Sequence, residues 1–400
     1  MSDTSIQSIL LEKQYGAHNY NPLPVLLTKG QGVYVWDEKG NRYLDMLSAY
    51  SALSHGHCHP RLVKALTQQA EKLALTSRAF YSESLGPFLE ALCKTTGYEK
   101  ALPMNTGAEA VETAIKAARK WGYTVKNIPE NKAEIIVCTN NFHGRTTSIV
   151  GFSTEEQYRS GFGPFSPGFI TIPYGDASAL KNAITPNTAA FLLEPIQGEG
   201  GIVIPQEGYL KECEALCKKH DVLLLLDEIQ TGLGRTGKLM ACDHENVRPD
   251  GLILGKALGG GLLPVSAFLA DKAIMDVFTP GDHGSTFGGN PLAARVAQEA
   301  LAILFEENLI ENSAKQGAYF LERLKALSHP AIKQVRGRGL LIGMEMNMEI
   351  IMARTVCERL LALGLLSKDT HETVVRFAPP LTITSAQIDT AIDMIEEALK

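Results

Sequence analysis

Val222-Leu223-Leu224-Leu225-Leu226-Asp227-Glu228-Ile229-Gln230 is the stretch that decides the architecture. Val222 to Leu226 are apolar without alternation, which predicts a strand covered on both faces, as in a parallel sheet flanked by helices. Asp227 closes that strand. A carboxylate at the tip of a buried strand needs a partner, because an unpaired buried charge is costly and takes up a proton instead.

The next apolar run is Asp250-Gly251-Leu252-Ile253-Leu254-Gly255-Lys256-Ala257-Leu258-Gly259-Gly260-Gly261. Ile253 and Leu254 are strand-like, so Lys256 falls at a strand's carboxyl end, where open α/β sheets place their ligands. A lysine without charged neighbours, approached by glycine backbone, suits a lowered pKa and a nucleophilic amine. Taken alone, Lys256 reads as a solvated loop lysine. Asp227 changes that reading. Together they suit pyridoxal phosphate (PLP), whose electron-sink chemistry requires an acid at the ring nitrogen and a lysine in covalent linkage. The competing roles for Asp227, a helix N-cap or a metal ligand, leave Lys256 without a purpose.

Strands and helices alternate from about residue 60 to 285. Strands are expected at Glu134–Cys138, Phe169–Ile172, Ala189–Leu193, Val222–Leu226, Leu252–Leu254 and Ser266–Leu269, with helices opening at Pro60 and spanning Ala108 to Trp121. That order predicts a mostly parallel sheet with helices on both faces. Ahead of it lies an irregular start and a hairpin, Gly32–Trp36 with Arg42–Asp45. Behind it, one long helical stretch from Asn290-Pro291 to Leu327 leads to a small α+β region. There a strand is expected at Leu340–Glu345, a helix at Glu349–Leu363, a strand at Thr373–Phe377, and a last helix behind the capping box Thr384-Ser385-Ala386-Gln387. The domain reading is residues 1–50 as the amino-terminal part of a small lobe, 51–285 as the large cofactor domain and 286–400 as the small carboxyl-terminal domain with the bridging helix.

Composition narrows the function. The 400-residue chain is 45% hydrophobic and 20% charged, ordinary for a soluble enzyme with a large core. A net charge of −6, without clustered Lys and Arg, argues against nucleic-acid binding. The apolar runs are too short to span a bilayer, and Met1-Ser2-Asp3-Thr4 has neither a secretory nor a transit pattern. Seven scattered cysteines without a Cys-x-x-Cys suit a reducing, cytoplasmic compartment.

Two motifs are set aside. Gly232-Leu233-Gly234-Arg235-Thr236-Gly237 matches the dinucleotide fingerprint, but no amphipathic helix begins there to carry a pyrophosphate. His55-Gly56-His57-Cys58-His59 offers metal ligands, yet neighbouring residues point apart and no second ligand cluster completes a tetrahedral set.

The remaining candidates gather at strand ends. Thr106-Gly107-Ala108-Glu109 stands ahead of an amphipathic helix and suits a phosphate or an ordinary N-cap. Phe142-His143-Gly144-Arg145 supplies an aromatic for a flat ring and a guanidinium for a carboxylate. Ser285-Thr286-Phe287-Gly288-Gly289-Asn290 adds a hydroxyl and glycine backbone. Glu194 and Glu199 lie in Leu193-Glu194-Pro195-Ile196-Gln197-Gly198-Glu199-Gly200-Gly201, on the same rim. Arg376 is a lone cation in the apolar strand Val374-Val375-Arg376-Phe377, and such a residue wants an acid or a ligand carboxylate.

Lys256 in its glycine setting, Asp227-Glu228-Ile229-Gln230-Thr231-Gly232, Asn105-Thr106-Gly107-Ala108-Glu109-Ala110, Glu194-Pro195-Ile196-Gln197-Gly198-Glu199 and Ser285–Pro291 resemble the class III, or ω-amino acid, PLP-dependent aminotransferases. The resemblance runs in order over nearly the whole chain. It implies an α/β fold type I transferase, with a large domain of mostly parallel sheet and a small α+β domain built from both ends of the chain. It also implies that Lys256 binds the cofactor covalently and shuttles the proton, Asp227 holds the ring nitrogen, Gln230 the phenolic oxygen, and Phe142 with Ile229 sandwich the ring. Thr106, Gly107 and Ala108 would take the phosphate, joined by Thr286 from a neighbouring subunit, hence a homodimer with shared sites.

Within that class, Gly16–Tyr20, Ser48–Ala52, Thr76–Tyr81 and Arg376–Pro380 are most similar to the branch acting on ornithine and 2-oxoglutarate. Tyr20 and Arg145 would then hold ornithine's α-carboxylate while Glu199 covers Arg376, and Tyr50 would help recognise a free α-amino acid group. The N-acetylornithine branch is the nearest alternative; a γ-aminobutyrate enzyme fits Tyr50 less well. An amino-acid decarboxylase or racemase on the same cofactor fits the two arginines less well, and a non-enzymatic regulator would not need the Lys256–Asp227 pair. Where the family often has an aromatic after Phe142, this chain has His143.

Overall fold

The computed structural model describes residues 3–400. Met1 and Ser2, part of the amino-terminal stretch read for targeting signals, lie outside the described residues. At the centre is a seven-stranded sheet ordered Lys100–Met104, Ser266–Ala270, Gly251–Leu254, Leu223–Asp227, Thr188–Leu193, Glu134–Cys138 and Phe169–Ile172. Ser266–Ala270 runs antiparallel to both neighbours, and the other pairings are parallel. The unalternating leucines are explained by the core. Leu224 and Leu226 enter one apolar cluster, while Leu223 and Leu225 enter a second on the opposite face. Both faces of the strand are dry.

Lys100–Met104 is a strand absent from the sequence expectation. It contains Pro103, which cannot donate to a ladder and is tolerated here because the strand lies at the sheet's edge. The expected irregular start is a helix, Asp3–Tyr15, with none of its described side chains buried. Without a dry face it leaves no apolar stripe to read. The single bridging helix is two, Pro291–Glu306 and Leu309–Ala326, broken where Asn308 takes a left-handed φ of 52°. The helix expected from Glu349 begins at Ala353.

Two smaller sheets flank the centre. One joins the amino-terminal strands Leu27–Gln31, Tyr34–Asp37 and Arg42–Asp45 to the late Leu365–Leu366. The other orders Ile332–Arg338, Leu341–Met346, Val374–Phe377 and Lys368–Thr370 as an antiparallel sheet. The helix Ser385–Leu399 carries the expected capping box between Thr384 and Gln387. The chain is thus an α/β protein with a large, mostly parallel sheet and a small α+β part drawn from both ends.

Gly232–Gly237 forms turns and no helix, and its Arg235 is fully buried. That guanidinium donates to the carbonyls of Leu340 at 3.0 Å and Pro379 at 2.5 Å, tying the loop to the carboxyl-terminal part. The three loop histidines diverge: His55 meets the Ala300 carbonyl, His57 Asp45, and His59 Glu307. No group of residues able to hold a metal ion occurs among the described residues.

Candidate active site

The carboxyl ends of Leu223–Asp227 and Gly251–Leu254 open onto a cavity of about 190 Å³. Gly107, Ala108, Phe142, Asp227, Ile229, Gln230 and Lys256 line it, joined by His143, Gly144, Glu194 and Thr231. Seven predicted residues therefore converge from four segments far apart in sequence.

One side is a helix N-terminus. Gly107–Thr124 has eighteen residues, and Gly107 and Ala108 occupy its first positions, where backbone N–H groups have no intrahelical acceptor. Thr106 is the N-cap. Its hydroxyl accepts from the Glu109 N–H at 3.3 Å, and the Glu109 carboxylate accepts from the Thr106 N–H at 2.7 Å. The hydroxyl thus belongs to the capping box, while the glycine and alanine face the cavity. Gly107 has no room for more: a Cβ there would stand 2.9 Å from Ile229 Cδ1.

Asp227 is almost fully buried. Its Oδ1 accepts the Ile229 N–H at 3.0 Å, and its Oδ2 accepts from His143 Nδ1 at 2.7 Å. Burial depresses the imidazole pKa, but the bond and charge of Asp227 outweigh it and raise the value overall. His143 is thus a partner the sequence reading did not assign. Eighty-four residues separate the two side chains, and no local pattern announces the contact.

Glu194 lies beside this pair. Burial pushes its pKa up to about 7, against the favourable charge of His143. Its carboxylate accepts the N–H of Phe142 at 2.9 Å and of Gly198 at 3.3 Å, holding two loops in place. Lys256, at a left-handed φ of 45°, has its pKa pulled down by burial to about 8, with Glu199 acting in the opposite sense. Its amine is therefore within reach of the neutral form near physiological pH.

Gln230 links the cavity to a second group. Its Nε2 donates to Glu199 Oε1 at 3.2 Å, and the same oxygen accepts from Arg376 Nη1 at 2.5 Å. Burial alone would raise the Glu199 pKa, but the charges of Arg376 and Lys256 and the hydrogen bonds from Arg376 and Gln230 together outweigh it and lower it to about 2. Arg376 is 1% exposed, and its Nε and Nη2 have no protein partner. Tyr50 stands by, with the guanidinium 5.6 Å from its ring.

Thr106, Tyr50, Glu199 and Arg376 thus stand beside the cavity without lining it, and three further predicted residues lie outside both groups. Tyr20 and Arg145 are exposed, the guanidinium resting 4.0 Å from the Tyr158 ring. Thr286 is exposed as well, on a loop whose Ser285 accepts from Asn105 Nδ2 at 3.0 Å.

A profile of class-III aminotransferases matches residues 15–399. The chain belongs to that family. Among similar class-III proteins, the ornithine aminotransferase of Brevibacillus brevis is 60% identical over 399 residues, covering 100% of this chain and 99% of the relative. The ornithine aminotransferase structure from Toxoplasma gondii superposes with a TM-score of 0.98 at 47% identity, covering 100% of this chain and 95% of that one. The acetylornithine aminotransferase from Elizabethkingia anophelis superposes with a TM-score of 0.90 at 50% identity, covering 99% and 98%.

Class-III aminotransferases use PLP, and the cavity fits it. A free helix N-terminus, a buried aspartate, a lysine of lowered pKa and an aromatic share one cavity. Gln230 Oε1 and His143 Nε2 are buried in that wall without partners, polar atoms that an apolar filling would leave unsatisfied.

Proposed function

We propose that this protein is an ornithine δ-aminotransferase, moving the terminal amine of L-ornithine to 2-oxoglutarate to give glutamate 5-semialdehyde, which cyclises to pyrroline-5-carboxylate, and glutamate. The Glu199–Arg376 pair carries the reading. One site must accept ornithine by its distal amine and glutamate by its α-amine, and a buried guanidinium with a removable cover can serve both.

When bound, PLP supplies the electron sink that allows an amine to be exchanged between two carbon skeletons. Gly107 and Ala108 would hold its phosphate, Asp227 its ring nitrogen, Gln230 its phenolic oxygen, and Phe142 with Ile229 the two ring faces. Lys256 would hold it covalently at rest. Lys256 Nζ would also take the proton from ornithine's δ-carbon, a role its lowered pKa supports. Tyr20 and Arg145 would orient ornithine's α-carboxylate while Glu199 keeps Arg376 covered. For the keto acid, Glu199 swings away and Arg376 clamps the α-carboxylate, its two unpartnered nitrogens offering donors.

The exposure of Thr286, with Phe80, Tyr81 and Phe287 also exposed, supports a homodimer in which Thr286 of the partner subunit completes the phosphate site. Seven free cysteines support a cytoplasmic location. No helix among the described residues is long and apolar enough to cross a membrane.

The test is a spectrum of the purified holoenzyme before and after ornithine alone. Loss of the cofactor's visible band with formation of the cyclised product is expected. Faster conversion of N-acetylornithine than of ornithine would place the protein with the acetylornithine enzymes instead.

A further inference from the structure

Glu199 sits on a loop, yet its backbone is held from outside that loop. Thr370 Oγ1 donates to the Glu199 carbonyl at 2.9 Å. Arg336 Nη2 donates to the Gly201 carbonyl at 2.7 Å, and its Nε to the Ile202 carbonyl at 3.0 Å. A third arm of the same guanidinium, Nη1, meets Glu345 Oε2 at 2.5 Å, which fixes its orientation.

The register of the carboxyl-terminal antiparallel sheet explains the arrangement. Arg336 stands opposite Gly343, and Gly343 opposite Arg376. Directly opposed residues on adjacent strands present their side chains to one face, so two arginines flank a glycine in a single row. Arg376 grips the Glu199 side chain, and Arg336 grips the backbone just after it. Gly343 leaves the space between them to Ile202, whose Cβ is 3.1 Å from where a Gly343 Cβ would lie. Ile202 itself holds a left-handed φ of 55°, unfavourable for a β-branched residue, so this backbone keeps its shape only under external restraint.

We infer that Arg336 is a positioning residue for substrate choice: with Thr370 it pins the Gly198–Ile202 backbone to the carboxyl-terminal sheet, so that Glu199 leaves and regains Arg376 by side-chain rotation over a stationary main chain. The inference rests on the reading of Glu199 as the removable cover of Arg376. Freed from the clamp, the loop drifts, Arg376 is covered less of the time, and ornithine loses ground to α-amino acids. Arg336 touches neither cavity nor substrate; it acts through Glu199.

The experiment follows each half-reaction separately by rapid-mixing absorbance of the holoenzyme, with ornithine alone and with glutamate alone. Arg336→Met keeps the stem and removes every donor. Its kcat/KM for ornithine is expected to fall about tenfold relative to that for glutamate, within the ordinary range of coupling between linked groups. Arg336→Lys, restoring one donor, recovers part of the ratio. Thr370→Val shifts it the same way by less, and these two variants decide the matter if Arg336→Met does not fold.

In a Glu199→Ala background, Arg336→Met should leave the ratio unchanged, because a group acting through Glu199 has nothing left to act on. Parallel loss of both half-reactions, or an undiminished effect without Glu199, overturns the inference and leaves Arg336 a structural staple. If Glu199→Ala moves the ratio while the Arg336 and Thr370 variants do not, the inference alone fails. If Glu199→Ala leaves the ratio untouched, the removable-cover reading fails and takes the inference with it.

Discussion

Glu199 Oε1 lies 2.5 Å from Arg376 Nη1 and 3.2 Å from Gln230 Nε2, so one carboxylate oxygen joins the arginine of the small sheet to the wall of the cofactor cavity. Any change in the pairing of Glu199 is therefore felt on both sides. The arginine is the more deeply buried partner, at 1% exposed. An unpaired guanidinium there is costly, and a substrate carboxylate can take the place of Glu199.

Glu199→Ala should raise the rate on α-amino acids such as glutamate and lower that on ornithine. A change in the ratio of the two kcat/KM values of about ten- to a hundredfold is expected, about 1.4 to 2.8 kcal/mol. Steady-state comparison of the two amine donors measures it. An unchanged preference would sink the role given to this pair.

Lys256→Met should abolish multiple turnover, leaving only the slow exchange that any bound cofactor supports. The same variant reports on burial of the amine. The folded pKa of about 8 is below the ordinary 10.5, so between those values the unfolded chain binds more protons and stability rises with pH. In cofactor-stripped protein, wild type should therefore gain on Lys256→Met from pH 8 to 10.5, by roughly 3 kcal/mol at most. Urea unfolding of both proteins across that range would show it. A constant difference would mean that the amine is not desolvated.

His143→Ala removes one partner of a buried ion pair and leaves Asp227 alone with the Ile229 N–H. Loss of about 3 kcal/mol in stability is expected, together with weaker retention of PLP. His143→Gln, which restores a donor, should recover much of both. The checks are denaturant unfolding and the rate of cofactor loss on dilution. Full retention of PLP by the alanine variant would separate His143 from the cofactor.

Gly317→Ala tests the packing of the helix Leu309–Ala326 on the turn at Gly339. A Cβ at 317 would lie 2.1 Å from the Gly339 carbonyl carbon and oxygen, both backbone atoms that cannot rotate away. Destabilisation of about 3 kcal/mol or more is expected, at the upper end for an overpacked contact. A melting temperature within a degree or two of wild type would mean that the helix shifts freely over the turn.

Much of the cavity was legible because its residues belong to runs with a local signature. The five apolar residues before Asp227 imply a strand buried on two faces, and the tip of such a strand is where a ligand sits. Lys256 among glycines and Gly107-Ala108 opening an amphipathic helix are of the same kind. Lys100–Met104 was hidden by a proline that only an edge strand tolerates, and the break at Asn308 by an otherwise continuous helical pattern. His143 stands in plain view beside Phe142, but no local pattern shows its bond to Asp227.

Residue types and their spacing suffice to specify a lysine, an aspartate and a helix N-terminus at the ends of parallel strands, because periodicity and capping act over a few residues. Which side chains meet is settled by the folded chain. Asp227 with His143, Glu199 with Arg376 and Gln230, and Arg336 with the Gly201 carbonyl are contacts across 84, 177, 31 and 135 residues. They exist because sheet register sets side chains in rows and faces, and register is settled by burial of the whole core, beyond the reach of any local pattern.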